Sequence, residues 1–163
     1  MSILPHNYLP EQYLNTSQLS INHNYLQQQF SDPEAIFDEI RELVIRGDFT
    51  LGQAVDDLEE EFKIITNTRH AIGVGSGTDA IFLSLKALGI DKGDEVITVP
   101  YTFYASVGPI VTAGARPVFV DVGDDYNMDP EKIEAAITPR TKAILPVHWS
   151  GLICDMERIS RIA

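Results

Sequence analysis

The sequence predicts an α/β fold, a mostly parallel sheet with helices on both faces, and three observations carry that expectation. From Ala71 onward, short apolar runs alternate with helix-length segments. The intervals between the runs suit helical crossovers, which parallel strands need and hairpins do not. At Ala71-Ile-Gly-Val-Gly-Ser-Gly-Thr-Asp-Ala80 an apolar run passes through Gly73, Gly75 and Gly77 directly into a helical pattern.

Taken in order, residues 1–30 are rich in Asn, Gln, Tyr and Ser and read as an N-terminal arm, extended, partly disordered or laid against a partner. Residues 31–163 read as one domain. Ser31-Asp-Pro-Glu34 starts a helix, with Ser or Asp as cap and Glu34 placed for a capping box. Ile36, Phe37, Ile40, Leu43 and Val44 form its apolar stripe, and Gly47 ends it. A second helix begins near Gln53, with Val55, Leu58 and Phe62 facing inward. The acids Asp56, Asp57, Glu59, Glu60 and Glu61 make a solvated face, since no His or Cys accompanies them as a metal ligand would require.

Ala71–Val74 reads as a strand and Thr78–Leu88 as a helix with Ile81, Phe82, Leu85 and Leu88 on one face. Asp91-Lys-Gly-Asp94 is a turn, and Glu95–Val99 an apolar strand ended by Pro100. A helix over Thr102–Ala113 is expected to kink or split at Pro109. Pro117–Val122 and Ala143–His148 are further strands; Asp129-Pro-Glu131 caps a helix between them, and Asp155 begins the last one.

With 163 residues, 44% apolar and 22% charged, the chain has the make-up of a soluble globular protein. Its net charge of −12 argues against nucleic acid or an anionic membrane as partner. The single Cys154 can form no intrachain disulfide, which fits a reducing cytoplasm. The N-terminus has neither the basic region nor the apolar core of a signal peptide, and no run is as long as a membrane span.

Ligands of such a sheet sit beyond the carboxyl ends of its strands. The residues expected there are Gly75–Thr78, Tyr101-Thr-Phe103, Asp121 and His148-Trp-Ser150. A glycine turn at a helix N-terminus lets backbone N–H groups approach an anion at the favourable end of the dipole, and Thr78 adds a hydroxyl. The same glycines also suit a turn that needs their dihedrals and binds nothing. Taken singly, Phe103 suits a core, Asp121 a turn and His148 a structural role; their shared placement favours function. A dinucleotide site is excluded: the glycine pattern breaks at Thr78, and Asp94 and Glu95 fall at the start of a strand instead of its ribose-facing end.

From about Gly47 onward the chain resembles the DegT/DnrJ/StrS family of pyridoxal-phosphate-dependent sugar aminotransferases. The matching residues are Thr50-Leu-Gly52, Ile72–Ala80, Ala87–Ile97, Thr102-Phe103, Gly114-Ala115, Pro117–Asp121, Ile137–Lys142, Val147-His148, Gly151 and Asp155-Met156. The resemblance implies the N-terminal part of the large domain of a fold type I transferase. It implies that Gly77, Thr78 and the backbone of Asp79 hold the cofactor phosphate, that Phe103 stacks on the pyridine ring and that His148 lies nearby. Thr50 would sit on a segment reaching a neighbouring subunit's active site, in a homo-oligomer. The substrate would be a nucleotide-linked keto-sugar and the amino donor glutamate, in cell-surface polysaccharide or secondary-metabolite synthesis.

Members of that family are much longer. The resemblance places the Schiff-base lysine, and the acidic residue that pairs with the pyridine nitrogen, in segments beyond Gly151 that this chain does not match. Lys63, Lys86, Lys92 and Lys132 read as helix-face or turn residues, and Lys142 as preceding its strand, so no catalytic lysine is assigned here. The expectation is a chain inactive by itself, with pyridoxal phosphate bound weakly or not at all. The alternative is a non-catalytic scaffold half-domain paired with a separately encoded second half.

Overall fold

The computed structural model describes residues 26–163, so the expected arm lies almost wholly outside the described residues. Its last part differs from expectation. Leu26–Gln29 is a short helix, α1. The chain divides into two compact units, at Ile65/Thr66.

The first unit is helical. α2 spans Glu34–Arg46 and ends as expected at Gly47, whose left-handed φ of 71° lets its N–H close on the Leu43 and Val44 carbonyls. Pro33 rather than Ser31 or Asp32 is its N-cap, with no side-chain capping bond. α3 spans Gln53–Thr66, and its first N–H is held by the Asp48 carboxylate at 3.2 Å. The apolar stripes are present but not buried: neither helix has a buried residue, and Ile36, Phe37, Ile40, Leu58 and Phe62 are all exposed. Periodicity specifies a face; burial needs an opposing surface as well.

The second unit is the predicted α/β layer structure. β1 (Glu95–Thr98), β2 (Arg116–Phe119) and β3 (Thr141–Ile144) form a parallel sheet in the order β2-β1-β3. Glu95 pairs with Arg116 on one side and Thr141 on the other, and the register slips between Glu95 and Val96 on the β3 side. Successive residues of β1 serve opposite faces. Val96 packs with Leu85, Ile90 and Ile110 under α4 (Gly77–Ala87) and α5 (Tyr104–Thr112). Ile97 packs with Val120, Ile133 and Ile159 under α6 (Ile133–Ala136, entered by the 3-10 turn Pro130–Lys132) and α7 (Met156–Ile162). Each fully buried isoleucine contributes about 1.5–3 kcal/mol.

Two expectations fail. Ala71–Val74 is not a strand, and Ile72 is 79% exposed. A strand exists only as part of a ladder, and this run is not one of the three strands of the sheet. Pro109 does not split α5 into two pieces: it is one nine-residue helix with Pro109 buried inside it. The preceding residue is Gly108, which has no Cβ for the proline ring to strike, so the usual steric bar to a helical residue before proline is relaxed.

Short connections fix which helix ends lie where. α4 leads through the Asp91–Asp94 turn into β1, and α5 through Gly114 into β2. Gly114 has φ 94° and a side chain there would meet the Lys92 backbone at 3.3 Å, so both connections crowd the amino edge of the sheet. The N-termini of α4 and α5 therefore face the carboxyl edge.

Candidate functional site

The carboxyl edge gathers the start of α4 and the segments that follow the three strands. α4 is capped by Ser76, extended at φ −164°, whose Oγ accepts the Asp79 N–H at 3.1 Å and donates to Asp79 Oδ2 at 3.0 Å. This reciprocal cap orders the turn. It also occupies the Asp79 N–H. Gly77 and Thr78 stand at the first two helical positions, whose N–H groups an α-helix leaves without an internal partner. A side chain built at Gly77 would meet nothing within 4 Å, whereas one at Gly75 would touch Asp79 Oδ2 at 3.0 Å. Gly75 is thus fitted to the cap, and Gly77 faces open space.

Phe103, the N-cap of α5, is 66% exposed, with its ring 4.4 Å from that of Tyr104 at 59°. His148 follows β3 and is exposed; its Nδ1 accepts the Cys154 N–H at 3.2 Å. An accepting Nδ1 puts the proton of the neutral imidazole on Nε2. Cys154 is buried, donates its thiol to the Val147 carbonyl at 3.1 Å, and burial pushes its pKa up. Asp121 follows β2, turns back to accept the Val122 N–H, and lies 3.9 Å from Lys132. The topology therefore brings Gly77, Thr78, Asp79, Phe103, Asp121 and His148 to one edge. Thr50 belongs to the other unit, exposed in the turn between α2 and α3.

Sequence reasoning missed two features of this edge. One is an aromatic cluster: Tyr101 lies 4.3 Å from Trp149 and 5.6 Å from Tyr126 by ring centroids, joining the segments after all three strands. The other is Asn127, 1% exposed, which links the hairpin after β2 to the turn after β3. The run Asp125-Tyr-Asn127, with two turn-forming residues flanking an aromatic, is the signal that marks it.

The opposite edge is locked by charge. Glu95, 2% exposed, accepts Arg140 through Nε at 3.0 Å and Nη2 at 2.8 Å, and accepts the Thr138 hydroxyl. The Thr138 hydrogen bond first, and the Arg140 pair next, hold its carboxyl below the ordinary glutamate range. The segment Thr138–Thr141 is thereby pinned to β1, which explains the Ile137–Lys142 motif as architecture.

The lysines are mostly engaged elsewhere. Lys63 pairs with Glu60 at 2.6 Å, Lys86 with Asp91 at 3.5 Å and Lys132 with Asp129 at 3.5 Å. Lys142 lies within β3, not before it, because the strand begins at Thr141 opposite Glu95. No cluster of three or more His, Cys, Asp or Glu able to hold a metal exists among the described residues, and no helix among them is long and apolar enough to cross a membrane.

The family described as DegT/DnrJ/EryC1/StrS aminotransferase matches residues 31–163. A pleiotropic regulatory protein of Geobacillus stearothermophilus is 43% identical over 92% of this chain and 40% of its own length. A dTDP-3-amino-3,4,6-trideoxy-alpha-D-glucose transaminase of Micromonospora megalomicea is 42% identical over 86% of this chain and 38% of its own. The crystal structure of ntda from Bacillus subtilis with bound cofactor PMP superposes with a TM-score of 0.78 at 40% identity, covering 80% of this chain and 30% of that one. The chain spans two fifths or less of the length of these relatives. It belongs to the DegT/DnrJ/EryC1/StrS aminotransferase family.

Proposed function

We propose that this family member forms the cofactor-phosphate portion of a pyridoxal-phosphate-dependent aminotransferase acting on a nucleotide-linked keto-sugar, with an amino donor such as glutamate. The observation that carries the reading is the open cradle at the start of α4. A phosphomonoester suits it on three counts: the N–H groups of Gly77 and Thr78 lack internal partners, the space before Gly77 is clear, and Thr78 adds a hydroxyl. The eleven-residue helix behind them places its positive end at the anion. The Asp79 N–H serves the cap, so the phosphate is held by its two neighbours and Thr78 Oγ1. Phe103 offers an exposed ring face and His148 an Nε2–H donor at the same edge. When bound, pyridoxal phosphate supplies an electron sink for the substrate carbon. This chain's part is to anchor the phosphate, cover the ring and present a donor.

The Schiff-base lysine is not assigned to these residues, so the 163 residues alone have no transaminase activity. A chimera in which they replace the matching portion of the Micromonospora relative tests the reading. Its expected behaviour is transamination, with borohydride trapping a pyridoxyl group on a lysine of the relative's portion. A pyridoxyl adduct on a particular lysine of the isolated chain would overturn it.

The same reading places Gly47–Gly52 near a subunit interface. Support comes from Phe49 and Leu51, both strongly exposed and flanking Thr50. The expected species in solution is a self-associated one. Light scattering that finds only monomer at high concentration contradicts it.

A further inference from the structure

We propose that Asn127 is the positioning residue for His148, fixing its tautomer and its place at the carboxyl edge. Every polar end of the Asn127 side chain is engaged. Oδ1 accepts the Trp149 N–H at 3.0 Å; Nδ2 donates to the Leu152 carbonyl at 3.3 Å and to Asp125 Oδ2 at 3.3 Å. Asn127 thus grips the turn after β3 at both ends, from inside the protein. That turn is strained: Ser150 at φ 50° and Gly151 at φ 82° are successive left-handed residues, and Tyr126, beside Asn127, is left-handed at φ 63°. Left-handed non-glycine residues cost free energy and persist only where surrounding bonds over-determine them. Here the over-determining group is one buried amide shared by both strained segments.

The consequence falls on His148, the residue immediately before Trp149. With the turn closed, the chain comes back so that the Cys154 N–H meets His148 Nδ1 at 3.2 Å. That bond leaves Nε2 carrying the proton and exposed. Remove the grip at Trp149 and Leu152, and the Cys154 N–H is kept near the ring only by the burial of Cys154 and its thiol bond to the Val147 carbonyl, which leave the intervening turn free to shift.

The functional weight of this placement rests on the reading that His148 serves the cofactor edge, but its test does not. Nitrogen-15 spectra of the 163-residue chain at about pH 8.5, two units above the ordinary imidazole pKa, report which ring nitrogen carries the proton. The expected wild-type result is one tautomer, Nδ1 bare and Nε2 protonated; a protonated Nδ1 overturns the proposal outright. Asn127→Ala is expected to lose the single tautomer and give exchange-averaged ring shifts. Asn127→Asp, which keeps the acceptor for Trp149 N but not the donor to Leu152, falls between the two. Thr138→Val, a change at the far edge, is expected to leave the His148 shifts unmoved. Folded Asn127 variants with wild-type His148 shifts overturn the proposal. If pyridoxal phosphate bound to the chimera leaves His148 untouched while the tautomer still follows Asn127, the positioning stands and the cofactor reading falls.

Discussion

The two edges of the sheet are built on opposite principles. At the amino edge the buried charge is satisfied within the chain: Glu95 is buried against Arg140 and Thr138, and Gly114 packs tightly on Lys92. At the carboxyl edge groups are left available: two helix N–H groups, an exposed Phe103, an exposed His148, and left-handed residues at Tyr126 and Ser150. The first arrangement stores stability and the second stores binding capacity. The difference teaches that strain and exposure, read with charge satisfaction, distinguish a self-satisfied edge from one left open to a ligand in the same three strands.

Substitutions sharpen or break that contrast. Gly77→Val is expected to have the largest effect. Its φ is ordinary and its surroundings open, so folding is unaffected, while the side chain fills the space a phosphate needs. Loss of two hydrogen bonds to a charged group weakens pyridoxal phosphate binding in the chimera by roughly 150-fold or more, as fluorescence titration would measure. Thr78→Val removes one hydroxyl donor and should cost about 10- to 150-fold. Phe103→Ala leaves the anchor and removes a stacking face, for about 2- to 12-fold. A reversed order would mean that the phosphate is held elsewhere.

The amino edge should answer to pH instead of ligand. The folded-state pKa of Glu95 is depressed, so its stabilisation is fully present above the ordinary glutamate range and is lost as pH falls through the lower folded value. Glu95→Gln, close in shape, is expected to lower stability at pH 7, where the carboxylate's contribution is fully present, to flatten the acid limb of the unfolding curve, and to leave cofactor affinity unchanged. An acid limb that survives the substitution would place the sensitivity elsewhere.

Much of this was legible in the residues. The parallel layering followed from apolar runs spaced by helix-length crossovers, and the convergence of Gly77, Phe103 and His148 from the rule that ligands gather beyond strand ends. The Ala71–Val74 strand was not legible, because pairing is a property of two segments and periodicity reports one. The stripes of α2 and α3 were legible as patterns but their exposure was not, for the same reason. Asn127 was hidden because a single buried amide has no period; only Leu152 and Trp149, distant in sequence, reveal what it holds.

The claim that the carboxyl edge is an anion cradle centred on Gly77 is tested most directly by amide spectra of the isotope-labelled chimera during titration with pyridoxal phosphate. The account predicts that the N–H resonances of Gly77 and Thr78 move first and furthest, while those of Glu95, Arg140 and Gly114 stay in place. Shifts confined to the amino edge, or a Gly77 resonance that does not move at millimolar ligand, would contradict it.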